Sequence, residues 1–250
     1  MLDNESENLL AAHKKSAIEE RLEKTSRHSY LGDAVMGGID GCVTTFAVVA
    51  GVTGGGFLPL VAIILGFANL LADGFSMAVS NYQNAKSRQD LINKVRKDEE
   101  RHIELIPEGE VEEIRQIFKN KGFSGDVLES IVDTITSDRK LWLDTMLREE
   151  FGLQIDAPNA YKAAFTTFIA FIMIGAIPLI PFLISIIKPD YLFVTSSIIT
   201  ACAFFGIGIF KGIVVKQNYL KTGLQTLFVG SAAASLAYFA GLWLKQVFGI

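Results

Sequence analysis

The stretch AAFTTFIAFIMIGAIPLIPFLISII, residues 163–187, decides the fold class: it holds no Asp, Glu, Lys or Arg. As a helix rising about 1.5 Å per residue it is long enough to cross a hydrocarbon layer of about 30 Å. Two further runs share the property, YLFVTSSIITACAFFGIGIF at 191–210 and GLQTLFVGSAAASLAYFAGLWL at 223–244. The composition agrees. Half of the 250 residues are apolar, 18 are Phe and only 20% are charged, against about 25% in soluble domains. Together these features exclude a soluble enzyme, a nucleic-acid binder and a secreted disulfide scaffold. Cys42 and Cys202 both lie in apolar stretches and suggest neither a disulfide framework nor a thiolate metal site.

Two weaker apolar segments precede these three. Residues 31–53 include Asp33, Asp40 and several glycines, and residues 57–81 include Asn69 and Asp73. The run Thr53-Gly54-Gly55-Gly56 between them reads as a tight turn. The expected fold is therefore an all-α membrane protein of five spans. Its first residues are polar, without the apolar core of a signal peptide, and Leu9, Leu10, Ala17, Ile18 and Leu22 place an amphipathic helix over 5–27.

The basic residues set the orientation. Lys14, Lys15, Arg21, Lys24 and Arg27 precede span 1, Lys86, Arg88, Lys94, Arg96 and Lys97 follow span 2, and Lys211, Lys216 and Lys221 join spans 4 and 5. The opposite side offers only Lys188 and Lys245. The positive-inside rule predicts a cytoplasmic N-terminus and insert and a C-terminus outside or luminal. The expected division is an N-terminal helix at 1–28, spans 1–2 at 29–86, a cytoplasmic insert at 87–157 and spans 3–5 at 158–250.

Residues 87–155 hold 16 of the 27 acidic and 11 of the 23 basic residues, so the insert is a small acidic helical unit. A first helix continues out of span 2 to about Leu105 and stops before Pro107. A second runs over about 108–121 to Gly122, and Ser124 caps a third. Ser137 is expected to cap a last helix ending at Gly152. Carboxylates recur at helical neighbour spacings: Glu100 with Glu104, Glu110 with Glu113, and Glu99 three residues before His102. Met146 and Glu150 are four apart. Such pairs share a face and can offer two ligands to one ion. Oxygen and imidazole suit Fe²⁺ and Mn²⁺, and a thioether favours transition metals over Ca²⁺ or Mg²⁺. The alternative is a solvated acidic face partnered by Arg101, Arg115 and Arg148. A di-iron enzyme would need the Glu-x-x-His motif twice. The only other histidines, His13 and His28, lack that spacing.

Inside the membrane, a carboxylate costs at least about 2.5–3.5 kcal/mol on insertion scales and is functional by default. Asp40 lies among Gly37, Gly38 and Gly41, which allow close backbone approach. Asn69, Asp73 and Met77 follow one another at four-residue intervals on one face of span 2. If spans 1 and 2 face each other, these four residues form an ion path. An interhelical hydrogen bond is the competing reading for Asp73, ordinary packing for Met77, and an interfacial position for Asp33. The small residues Gly230, Ser231, Ala232, Ala233, Ala234 and Ser235 suit close helix contact in span 5.

These residues also resemble a known family. Gly38-Ile39-Asp40-Gly41-Cys42-Val43-Thr44-Thr45-Phe46 is similar to the span-1 signature of the vacuolar iron transporter family. Phe75-Ser76-Met77 with Tyr82 and Ala85-Lys86-Ser87 resembles its span 2. Trp142-Leu143-Asp144-x-Met146 with Glu150-Phe151-Gly152-Leu153 resembles its insert, and Pro178-Leu179-Ile180-Pro181 its span 3. The resemblance covers roughly residues 28–250. It implies a homodimer of five-span protomers that exports Fe²⁺, often Mn²⁺ as well, from the cytosol in exchange for protons. It implies a pore between the first spans of two protomers, with Asp40 and Met77 matching its metal path. It implies an insert that binds metal through Glu99, Glu110, Glu113, Met146 and Glu150. Two departures stand out. His102 replaces a glutamate frequent in iron-transporting members, and the family's span-2 glutamate falls at Asn69, with Asp73 one turn on.

The expectation is thus a transporter, not an enzyme, with Fe²⁺ or Mn²⁺ as its ion and no organic cofactor. Its partners are divalent ions, protons, membrane lipid and a second copy of the chain, with no nucleic acid. A prokaryotic cell membrane is favoured over a vacuolar one. The alternatives are a manganese-preferring exporter, and a metal-binding buffer or sensor without transport.

Overall fold

The computed structural model describes residue 6 and residues 10–25, 29–184 and 186–249, without the side chains of 21–25. The described residues are overwhelmingly helical, and five helical segments are long and apolar enough to span a membrane: Leu31–Gly54, Pro59–Leu105, Ala160–Leu183, Pro189–Val214 and Tyr219–Phe248. Helix α1 is Lys15–Thr25, α2 Leu31–Gly54 and α3 the 47-residue Pro59–Leu105. Then follow α4 (Pro107–Asn120), α5 (Gly125–Ser137), α6 (Arg139–Glu149), α7 (Ala160–Gly175), a 3₁₀ turn at Ile177–Leu179 and α8 (Ile180–Leu183). The last two are α9 (Pro189–Val214) and α10 (Tyr219–Phe248). The chain clusters into two compact units, one of residues 1–28 with 84–159 and one of residues 29–83 with 160–250.

In the apolar unit, glycine decides how α2 packs. A Cβ on Gly37 would strike the Thr167 carbonyl, and one on Gly38 would come within 2.8 Å of Ile174 Cδ1. A Cβ on Gly41 would strike the Phe171 carbonyl, and one on Gly175 would reach the Gly41 carbonyl at 2.8 Å. The glycines around Asp40 therefore seat span 1 on span 3. Cys42, Phe46, Val49 and Ala50 join Leu70, Phe171, Leu179 and Phe204 in one buried core. The first turn closes later than expected: α2 continues through Gly54, and Gly56 (φ +74°) makes the reversal.

The prolines of span 3 end α7 at Gly175 and force the 3₁₀ turn. The Ser196 hydroxyl on α9 donates to the freed Pro178 carbonyl at 2.7 Å. Spans 4 and 5 approach through Gly208, Gly212 and Gly223, where a Cβ on Gly208 would lie 2.6 Å from Gly223 Cα. Of the small-residue run in span 5, only Gly230 and Ala234 are buried, Gly230 beneath the Phe204 ring.

In the acidic unit, Ile103, Ile114, Leu128, Val132, Ile135, Trp142, Leu143 and Met146 form the core. Helix α4 closes through Gly122 (φ +96°), with Phe123 N–H donating to the Phe118 carbonyl at 3.2 Å. Two expected caps differ. Ser124 makes no side-chain cap bond, and α6 is capped by Asp138 rather than Ser137. The Asp138 carboxylate accepts from Lys140 N–H at 2.9 Å and Leu141 N–H at 3.2 Å. Ser137 is the last residue of α5, where it bonds its own helix at the Thr134 carbonyl. Helix α6 ends at Glu149, three residues short of Gly152, which takes a left-handed conformation (φ +64°). Ion pairs fasten the helices: Arg96 to Asp144 at 2.8 Å, Lys121 to Glu149 at 2.5 Å, and Arg115 to Glu129 at 2.9 Å.

The N-terminal helix expected over 5–27 is found as Leu10–Ala12, a turn at His13 and Lys14, and α1. Ala17 and Ile18 are half-buried, Leu10 is exposed, and Leu9, Arg27 and His28 lie outside the described residues.

Candidate metal centre

Helix α3 carries Glu99 and His102 on one face, three residues apart, and α4 brings Glu110 to the same place. One ligand atom from each of the three lies within 4.8 Å of the others. His102 Nδ1 stands 3.3 Å from Glu99 Oε1 and 3.6 Å from Glu110 Oε1. Glu99 and Glu110 are each 2% exposed, whereas half of the His102 side chain faces solvent. Pro107 makes this convergence possible, because it ends α3 and starts α4 within two residues.

Burying two carboxylates side by side is costly unless something answers them. Glu99 Oε2 and Glu110 Oε2 are both buried without a hydrogen-bond partner. Burial, followed by the negative charges of Glu99 and Glu113, pushes the Glu110 carboxyl up to about 7. Glu150 is likewise pushed up to about 7, first by burial and then by Glu113 and Glu99, with His102 opposing. Hence Glu113 and Glu150 belong to the same electrostatic cluster. Acidic residues elsewhere on the unit differ. Glu112 is drawn down by hydrogen bonds from Gln116 and Arg115, and Glu129 by hydrogen bonds from Arg115.

Two orphaned buried oxygens, a neighbouring imidazole and two carboxyls held partly protonated near neutrality fit a divalent cation, which would displace those protons. Met146 is fully buried in the core of this unit. Glu104 does not join the cluster; Arg139 pairs with it at 2.7 Å. Glu100 is half-buried, and its carbonyl accepts from the same arginine at 3.5 Å.

In the apolar unit, Asp40, Asn69, Asp73 and Met77 are all partly buried. The Asp40 and Asp73 carboxylates lie within electrostatic range of one another. Asn69 Nδ2 donates to Thr44 Oγ1 at 3.2 Å, and that hydroxyl donates to the Asp40 carbonyl at 2.9 Å. Spans 1 and 2 are thus joined by a polar link beside Asp40. Met77 packs against the apolar core.

Sequence reasoning missed a second polar link. Asn81 Nδ2 donates to Asp33 Oδ1 at 2.9 Å and to Thr167 Oγ1 at 2.8 Å, tying spans 1, 2 and 3 together. The signal available was Asn81 itself, an amide one turn after Met77 at the end of the apolar segment.

These observations define a class: an integral membrane protein of five helical spans with intramembrane carboxylates and an acidic helical unit able to hold a divalent cation. Comparison with known proteins narrows it. The model of the VIT family matches residues 31–242. A protein of Toxoplasma gondii named Vacuolar iron transporter is 32% identical over 229 residues, 88% of this chain and 76% of that protein. Vacuolar iron transporter 1 of Arabidopsis thaliana is 31% identical over 86% of this chain and 87% of its own length. Vacuolar iron transporter 1 of Tulipa gesneriana is 30% identical over 93% and 92%. The chain belongs to the VIT family.

Proposed function

We propose that this protein exports Fe²⁺, Mn²⁺ or both from the cytosol in exchange for protons. The observation that carries the reading is the Glu99–His102–Glu110 cluster, whose buried, unsatisfied carboxylate oxygens call for a cation. Relatives named for iron transport support the same cargo. The oxygen-rich donor set with one imidazole suits both Fe²⁺ and Mn²⁺. No organic cofactor is needed.

The acidic insert, 87–157, binds the ion on the cytoplasmic side through Glu99, His102, Glu110, Glu113 and Glu150, with Met146 adding a thioether. Glu100 and Glu104 form its acidic margin. The ion then passes to Asp40, Asp73 and Met77, beside Asn69, with a homodimer supplying two copies of each. Protons taken up by the path carboxylates from the opposite side weaken the site and release the metal. The preponderance of Lys and Arg beside the N-terminus, the insert and the 211–222 loop supports their cytoplasmic placement, with the C-terminus opposite.

A metal buffer or sensor is the second reading, favoured by the completeness of the insert cluster on its own. Uptake of Fe²⁺ and Mn²⁺ into vesicles holding the purified protein separates the two. Saturable flux of either ion, blocked by the other in competition, is expected. Metal binding without flux in wild-type vesicles would establish the buffer.

A further inference from the structure

Of the three ligand groups that meet between α3 and α4, two are carboxylates and one is the His102 imidazole. The backbone fixes where that imidazole stands. Ile106 N–H donates to the His102 carbonyl at 2.8 Å, and the Ile106 carbonyl accepts from Glu110 N–H at 3.3 Å. One residue thus ties the turn of α3 that carries the imidazole to the turn of α4 that carries the carboxylate. Glu99 lies three residues before His102 on α3 and shares its face. Donors built on helices and joined this closely hold a defined geometry before any ion arrives.

The spacing is that of ligands and not only of charges. Donors bound to one ion at about 2.0–2.2 Å stand roughly 2.8–3.6 Å apart, for bond angles from octahedral to tetrahedral. His102 Nδ1 lies 3.3 Å from Glu99 Oε1 and 3.6 Å from Glu110 Oε1, within that interval. The other oxygen of each glutamate, Oε2, is buried and has no hydrogen-bond partner. A histidine serving only as a counter-charge leaves both of those oxygens unanswered.

We propose that His102 sets the metal preference of the insert, its imidazole favouring Fe²⁺ over Mn²⁺ and disfavouring Ca²⁺. This rests on the reading of the cluster as the cytosolic metal site. Imidazole nitrogen suits iron and the later first-row metals, whereas carboxylate oxygen suits Mg²⁺, Ca²⁺ and Mn²⁺. Glu113 and Glu150, in electrostatic range of the cluster, are carboxylates as well. The substitution His102→Glu therefore replaces the nitrogen by a further carboxylate. The side chain is half exposed and lies outside the core that Ile103, Ile114 and Met146 help to form, so the exchange leaves that core intact.

The test is anaerobic calorimetry of the full-length protein in detergent, with Fe²⁺, Mn²⁺ and Ca²⁺ titrated separately. In His102→Glu the ratio of Fe²⁺ to Mn²⁺ affinity should fall roughly tenfold, the scale on which changes around a metal alter its binding. Ca²⁺ should bind this variant more tightly than it binds wild type. Electron spin-echo envelope modulation of bound Mn²⁺ reads the contact itself. Coupling to an imidazole nitrogen is expected in wild type and lost in His102→Glu. A second variant, His102→Gln, should lose the coupling without adding a charge. A histidine with a merely structural role would give no such coupling. Metal bound without nitrogen coupling, or an affinity ratio unchanged in His102→Glu, would overturn the proposal while leaving the cluster a metal site. Wild-type protein that binds none of the three ions would overturn both.

Discussion

Glu110 is the residue on which the chemistry of the insert turns. Its carboxyl titrates near 7 instead of in the ordinary carboxylate range, because it is buried beside Glu99. The sign follows. With its folded pKa raised above the unfolded one, Glu110 costs nothing when protonated below about 4.5, and its full cost falls on the folded state above about 7. The metal-free protein should thus lose thermal stability as pH rises across that window, and Glu110→Gln should flatten the decline. Thermal unfolding followed by tryptophan fluorescence checks this, since Trp142 lies in the insert's core. Metal competes with the same protons, so Mn²⁺ affinity should rise about tenfold per pH unit for each proton released. Glu110→Gln should cost at least about tenfold in calorimetric affinity at pH 7.5, whereas Glu104→Gln, which removes only the partner of Arg139, should leave affinity unchanged.

At the scale of elements, substitutions should separate glycines by what they meet. Gly41→Ala drives a Cβ into the Phe171 backbone and should sharply lower the yield of folded protein from membranes. Gly206→Ala on α9 has nothing within 4 Å and should be neutral. Asp138→Ala, which removes the α6 cap, should cost about 1 kcal/mol of insert stability, and Ser137→Ala much less. Helix positions were legible in the sequence because charge-free runs, Pro107 and Gly122 are strong local signals. The α6 cap was not: Ser137 and Asp138 are adjacent candidates, and only the last turn of α5 decides between them. The glycines around Asp40 showed that something comes close, but not that it is the backbone of span 3.

For the molecule as a whole, five spans require the two termini to lie on opposite sides of the membrane. The proposed placement of the N-terminus and insert in the cytoplasm rests on the distribution of Lys and Arg, and a membrane-impermeant thiol reagent tests it. In cells expressing a variant without Cys42 and Cys202, a cysteine at Ser137 should be protected and one at Gly249 labelled. The carboxylate-rich insert was legible because Glu99 and His102 share a helix face. Its narrower composition was not. Glu104 has the right spacing to Glu100 but is taken by Arg139, a residue 35 positions away, and spacing along one helix carries no information about such a partner. The Asn81 link to Asp33 and Thr167 was hidden for the same reason, since it needs three spans in register.

The most direct test of transport is metal uptake into proteoliposomes under an imposed pH gradient, comparing wild type with Asp40→Ala. Proton-coupled transport through Asp40 requires Fe²⁺ or Mn²⁺ flux that rises with the gradient in wild type and is lost in the variant, with metal binding at the insert intact. Flux that ignores the gradient, or persists at the wild-type rate in Asp40→Ala, would contradict it.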